Sequence, residues 1–144
     1  MKKMPLIAAT ALSFLAPMLA PEPASAMTQE DYQTAINYCF QNRETFSQMV
    51  GCVIEVANLA INECEYYNTP EHCDWGPGNY SSMPGQTPTN TKQVGAYALA
   101  CIQNNTPGDA DLCIEGFLDE MEGDCAAASY SCESSACWYL SECM

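Results

Sequence analysis

Basic side chains are scarce. The 144 residues hold four Lys and Arg and one His against 18 Asp and Glu, a formal net charge of −14. Such a surface repels nucleic-acid phosphates and anionic lipid, so neither is an expected ligand. Marks of chemistry are missing too. No Gly-x-Ser-x-Gly, His-Glu-x-x-His, Gly-rich phosphate loop or Cys-x-x-Cys occurs. Their absence removes the sequence signs of serine hydrolases, zinc peptidases, nucleotide binders and common structural zinc sites. No alternating stretch of strand length is present, so the expected class is all-α.

What is present begins with a leader. Met1-Lys2-Lys3, an apolar stretch from Met4 to Leu19 and the end Ala24-Ser25-Ala26 read as a Sec-type signal peptide over residues 1–26. Pro5 and Pro17 interrupt the apolar stretch, which is too short and broken for a comfortable membrane span. Cleavage near Ala26 leaves 118 residues with 17 acidic and two basic side chains. The expected location is a periplasm or the extracellular medium, with no membrane insertion after cleavage. The first cysteine is Cys39, so no lipid-accepting cysteine follows the leader. All ten cysteines survive cleavage, a density typical of disulfide scaffolds. An exported chain with an even cysteine count is expected to be oxidised.

The cysteines are spaced as a loose tandem repeat. Cys39, Cys52, Cys64 and Cys73 recur as Cys101, Cys113, Cys125 and Cys132, at offsets of 62, 61, 61 and 59, with Cys137 and Cys143 left over. Cys39-Phe40-Gln41-Asn42 parallels Cys101-Ile102-Gln103-Asn104. The expected plan is one helical hairpin over residues 27–73, a Pro/Gly-rich linker or loop over 74–90, and a second hairpin with a short C-terminal helix over 91–144.

Helix signals support that plan. Thr28 with Asp31, and Thr45 with Gln48, are capping boxes. Tyr32, Ala35, Ile36, Cys39 and Phe40 share one helical face. The next helix carries Met49, Val53, Val56, Ala60, Cys64 and Tyr67, and stops at Asn68 and Pro70. In the second unit Asn90 or Thr91 caps a helix bearing Val94, Tyr97, Ala98, Cys101 and Ile102. Thr106-Pro107-Gly108 reads as a turn. Asp109 is the expected cap of a helix lined by Ala110, Ile114, Phe117, Leu118, Met121 and Cys125. A last helix is expected over about Glu133 to Cys143, with Trp138, Tyr139 and Leu140.

Hairpin geometry prunes the disulfides. Cys52 lies about one turn, or 4.5 Å, past the residue opposite Cys39, whereas Cys64 lies more than about 25 Å beyond the turn. Cys39–Cys52 and Cys101–Cys113 are therefore expected. Cys64–Cys73 ties a helix end to its following loop. Cys137 and Cys143 are too far apart along one regular helix to pair, so their partners are sought in Cys125 and Cys132. The hairpins are similar in general shape to twin-cysteine helical hairpin proteins. Those have two Cys-x9-Cys segments, and the intervals of twelve, eleven and eight residues here do not indicate that family.

Candidate surfaces come from charge contrast. Asp109, Asp111, Glu115, Asp119, Glu120, Glu122 and Asp124 place seven carboxylates in 16 residues. Asp111, Glu115, Asp119 and Glu122 form one helical stripe, which reads as a solvated face or, alternatively, as a surface for a cation or a basic partner. The segment is no calcium loop, because Cys113 and Ile114 stand where that loop needs an oxygen ligand and a glycine. With an offset of 61 the stripe maps onto Val50, Ile54, Asn58 and Ile61. A helix so apolar is expected to be buried, and Val50, Ile54 and Ile61 are otherwise an apolar binding patch. His72, between carboxylates, reads as an exposed loop histidine. No cofactor or metal is expected, and no catalytic residue is assigned. The leading expectation is a non-catalytic secreted binding module, an inhibitor being one form, for a basic extracellular or periplasmic protein. The alternatives are a divalent-cation binder using the stripe and a structural cell-envelope component.

Overall fold

The computed structural model describes residues 27–43, 45–76 and 87–144, except the side chain of Glu71. The expected leader over 1–26 and most of the 74–90 loop lie outside the described residues. The rest is all-α. Helix α1 spans Gln29–Gln41, α2 Phe46–Tyr67, α3 Pro70–Cys73, α4 Thr91–Asn104 and α5 Pro107–Ala127. Two single-turn 3-10 helices, Ser135–Cys137 and Ser141–Cys143, end the chain.

The helices start where side chains satisfy the free backbone N–H groups. Thr28 accepts from the Asp31 N–H at 3.2 Å while Asp31 accepts from the Thr28 N–H. Thr45 and Gln48 make the same reciprocal pair at the start of α2. Asn90 accepts from the Gln93 N–H at 2.8 Å and starts α4. Helix α2 ends at Asn68, whose φ of 51° is left-handed and whose N–H returns to the Cys64 carbonyl. Helix α5 departs from expectation: it starts at Pro107, two residues before Asp109. Proline suits a first helical position because its missing N–H would find no partner there. The expected regular C-terminal helix is replaced by the two 3-10 turns.

All ten cysteines are paired. Cys39–Cys52 and Cys101–Cys113 staple the two hairpins, with Cα separations of 5.5 and 5.7 Å. Cys64–Cys73 ties α2 to α3. Cys125–Cys137 and Cys132–Cys143 hold the C-terminal segment. These last two bonds explain the broken helix, because a straight helix over 133–143 would carry Cys137 and Cys143 away from their separate partners.

One core cluster takes residues from both hairpins. Helices α2 and α4 pack together at its centre, with α1 against both and α5 also against both. The centrality of α4 has a steric basis. Gly95, Ala98 and Ala100 are buried on it beside Val94, Tyr97, Leu99 and Cys101, and small residues let helix backbones approach. A Cβ at Gly95 would lie 2.9 Å from the Tyr32 ring. The Tyr32 hydroxyl donates to the Gly95 carbonyl at 2.7 Å and locks α1 to α4. At the other end, Phe40 of α1 meets the rings of Trp138 and Tyr139, at 5.5 and 6.2 Å between centroids. The 3-10 segment therefore closes the core rather than hanging from α5.

Candidate functional site

Helix α5 is two-sided. Ala110, Ile114, Phe117, Leu118, Met121 and Cys125 face the core. Asp111, Glu115 and Asp119 are exposed and lie one turn apart, about 6 Å each along the axis. Asp109, Glu120 and Asp124 are exposed on the same helix. The sequence of α5 contains no basic residue. Among the described residues, no three His, Cys, Asp or Glu side chains are grouped so as to hold a metal ion.

Glu122, the fourth residue expected in the stripe, behaves differently. It is half-buried. Its carboxylate accepts from the hydroxyl of Tyr139 at 2.7 Å and from that of Tyr130 at 3.3 Å. The Tyr139 ring is fully buried, and Arg43 sits over it with its guanidinium carbon 5.3 Å from the ring centroid. Burial, and then the Glu122 carboxylate, hold the Tyr139 hydroxyl well above the ordinary phenol range. Glu122 thus ties α5 to the C-terminal segment. The sequence could not separate it from its neighbours, because helical spacing records which residues share a face and not which tyrosine comes back to meet them. The continuous surface line is Asp111, Glu115 and Asp119.

The apolar copy of the stripe is placed mainly inside. Val50 and Ile61 are buried in the core, and Ile54 is partly buried against it. The alternative of an apolar binding patch at Val50, Ile54 and Ile61 is therefore corrected: two of its three residues are covered by neighbouring helices. Exposed apolar side chains lie elsewhere, at Tyr38, Leu59, Tyr66, Leu112 and Tyr130. Leu112, 64 % exposed, stands beside Asp111 on α5.

His72 is not an exposed loop residue. It closes α3, is half-buried, and stacks on Tyr67 with 4.6 Å between centroids and a 16° interplanar angle. Its Nδ1 is hydrogen-bonded to the Thr69 hydroxyl three residues earlier. That is the local geometry of a residue bracing a helical turn. A depression of about 230 Å³ opens where α1 meets α2, lined by Tyr38, Cys39, Asn42, Arg43, Gln48 and Cys52. Among the described residues its lining contains no carboxylate, and its two cysteines are in the Cys39–Cys52 staple.

Comparison with protein-family models, with curated proteins and with solved structures finds no match to the chain. The described helices include none long and apolar enough to cross a membrane. Five disulfides together with that finding are compatible with a secreted protein.

Proposed function

We propose that the protein is a small exported binding module without catalytic activity, and that the outer face of α5 receives a basic protein. The observation that carries this reading is the exposed line of Asp111, Glu115 and Asp119 on a helix with no basic residue. Like charges at this spacing cost a few tenths of a kcal/mol per pair, and the helix gains no core contact from them. A cationic partner would relieve that repulsion and be steered toward the face. Leu112 offers the face an apolar contact. Packing of α5 on α2 and α4, with Cys101–Cys113 and Cys125–Cys137 as braces, limits the entropy lost on docking.

On the same reading, residues 1–26 direct export, and the two hairpins descend from one duplicated unit. The support for duplication is that Cys39–Cys52 and Cys101–Cys113 close loops of 13 and 12 residues at matching places. The test of function is capture of native exported proteins by the oxidised mature chain at low and high salt. Retained basic proteins released by salt are the expected result. Retention that is indifferent to salt sinks the electrostatic reading.

A further inference from the structure

We propose that hydrolysis of the Ala26–Met27 bond creates an α-ammonium at Met27 that pairs with the half-buried Glu63 carboxylate, so that loss of the leader completes a tie between the amino terminus and α2. The proposal rests on the leader reading above. Its geometry is present in the structure: the Met27 nitrogen donates to Glu63 Oε1 at 2.5 Å, across 36 residues of chain. The Met27 side chain is partly buried against the core, so the nitrogen is held in place by packing as well as by this bond.

In hydrolysis the Ala26 carbonyl carbon takes the hydroxyl of water, the C–N bond breaks, and the Met27 nitrogen takes the remaining hydrogen. The new amine, with an ordinary pKa of about 8, takes a further proton from solvent at neutral pH. The donor atom does not have to move. A neutral amide donor becomes a cation, so a bond already charge-assisted on its acceptor side gains a direct Coulombic attraction between opposite charges. Before cleavage, burial pushes the Glu63 carboxyl above its ordinary range, while the Met27 N–H and His72 pull the other way. Among the described residues, the titratable side chains of neighbouring elements that act on Glu63 are His72 of α3 and Asp31 of α1. A cation beside the start of α1 opposes the helix dipole, and the first-turn acids Glu30 and Asp31 offset that.

The experiment uses the oxidised chain released from a cleavable amino-terminal fusion so that Met27 is its first residue. All the described core residues and all five disulfides lie within this chain. It is compared with the same chain acetylated at the α-amine and with one retaining Ala24-Ser25-Ala26, each with and without Glu63→Gln. The free-amine form is expected to melt about 4 °C higher than the other two at neutral pH. Pairing raises the α-amino pKa in the folded state, so the difference is present at neutral pH, fades as pH rises through the folded value, and is lost in acid as Glu63 takes a proton. It is expected to vanish with Glu63→Gln. Equal midpoints for the three forms, or a difference that survives Glu63→Gln, overturn the tie. If Glu63→Gln does not fold, NMR titration of the wild-type α-amine decides: a pKa above about 8 supports the tie and one at or below it overturns it. Amino-terminal sequencing of the exported protein tests the leader separately. A start at Met27 supports the proposal, and any other start overturns the cleavage whatever the melting data say.

Discussion

Tyr139→Phe should show that Glu122 belongs to the core of the molecule and not to its charged surface. The substitution removes one oxygen and leaves the ring among Phe40, Trp138 and Arg43. A hydrogen bond to a charged acceptor contributes about 1.5–3 kcal/mol net. Glu122 is half-buried and keeps the longer bond from Tyr130 at 3.3 Å, so the lower end applies, about 1.5 kcal/mol. For a mature chain of this size that is a fall in melting temperature of about 5 °C. Glu122→Ala should cost at least as much, because it strands the hydroxyl of a fully buried tyrosine. Glu115→Ala, one stripe position away and exposed, should stay within about 0.5 kcal/mol or stabilise slightly by relieving repulsion. The pH profile gives an independent readout. A phenol whose folded pKa lies above its unfolded value of about 10 stabilises the fold below that pH and loses the contribution as pH rises toward the folded value. Wild type should therefore lose stability above about pH 10 more steeply than Tyr139→Phe. Calorimetry across neutral and alkaline pH measures both effects. If Tyr139→Phe melts with wild type and follows the same alkaline profile, Glu122 is a solvated surface acid and the argument for its tie is wrong.

The glycines should divide by sign. Gly116→Ala and Gly123→Ala in α5 should each stabilise by about 0.5–1 kcal/mol, since a Cβ there meets nothing within 4 Å. Gly95→Ala should destabilise, because the clash with Tyr32 costs about 1–3 kcal/mol against a helix-propensity gain of about 1; urea unfolding midpoints check all three. Ile54→Ala should cost about 1–2 kcal/mol, below the usual range for a fully buried isoleucine because Ile54 is only partly covered. A silent Ile54→Ala in the same assay would place that side chain in solvent.

Local signals carried much of the fold. Thr28, Thr45 and Asn90 mark helix starts because a side-chain oxygen three residues from an N–H is a rule of nearest neighbours. The staples Cys39–Cys52 and Cys101–Cys113 were legible because antiparallel helices bring only a narrow band of residues into reach. Non-local choices were not legible. Pro107 reads as part of a turn until the helix behind it is known, when it becomes a good first residue. The 3-10 turns around Trp138 follow from two disulfides pulling against regular helix, and their connectivity was left open by spacing. The centrality of α4 depends on small residues, Gly95, Ala98 and Ala100, which look unremarkable in a search for large apolar faces. On the candidate surface, sequence grouped Asp111, Glu115, Asp119 and Glu122 by angle alone. Only the returning Tyr139 separates the fourth from the first three.

The claim that the α5 face, and not the overall negative charge, receives a basic protein is tested most directly by moving equal charge to two places. One variant carries Asp111→Lys, Glu115→Lys and Asp119→Lys. The other carries Glu30→Lys, Glu55→Lys and Glu65→Lys, which are exposed on α1 and α2. The two have the same net charge. Binding of the salt-released partner is then measured by titration calorimetry at fixed ionic strength. Loss of binding in the α5 variant, with binding largely kept in the other, is the expected result. Equal weakening in both would reduce the interaction to net charge, and unchanged binding in the α5 variant would contradict the account.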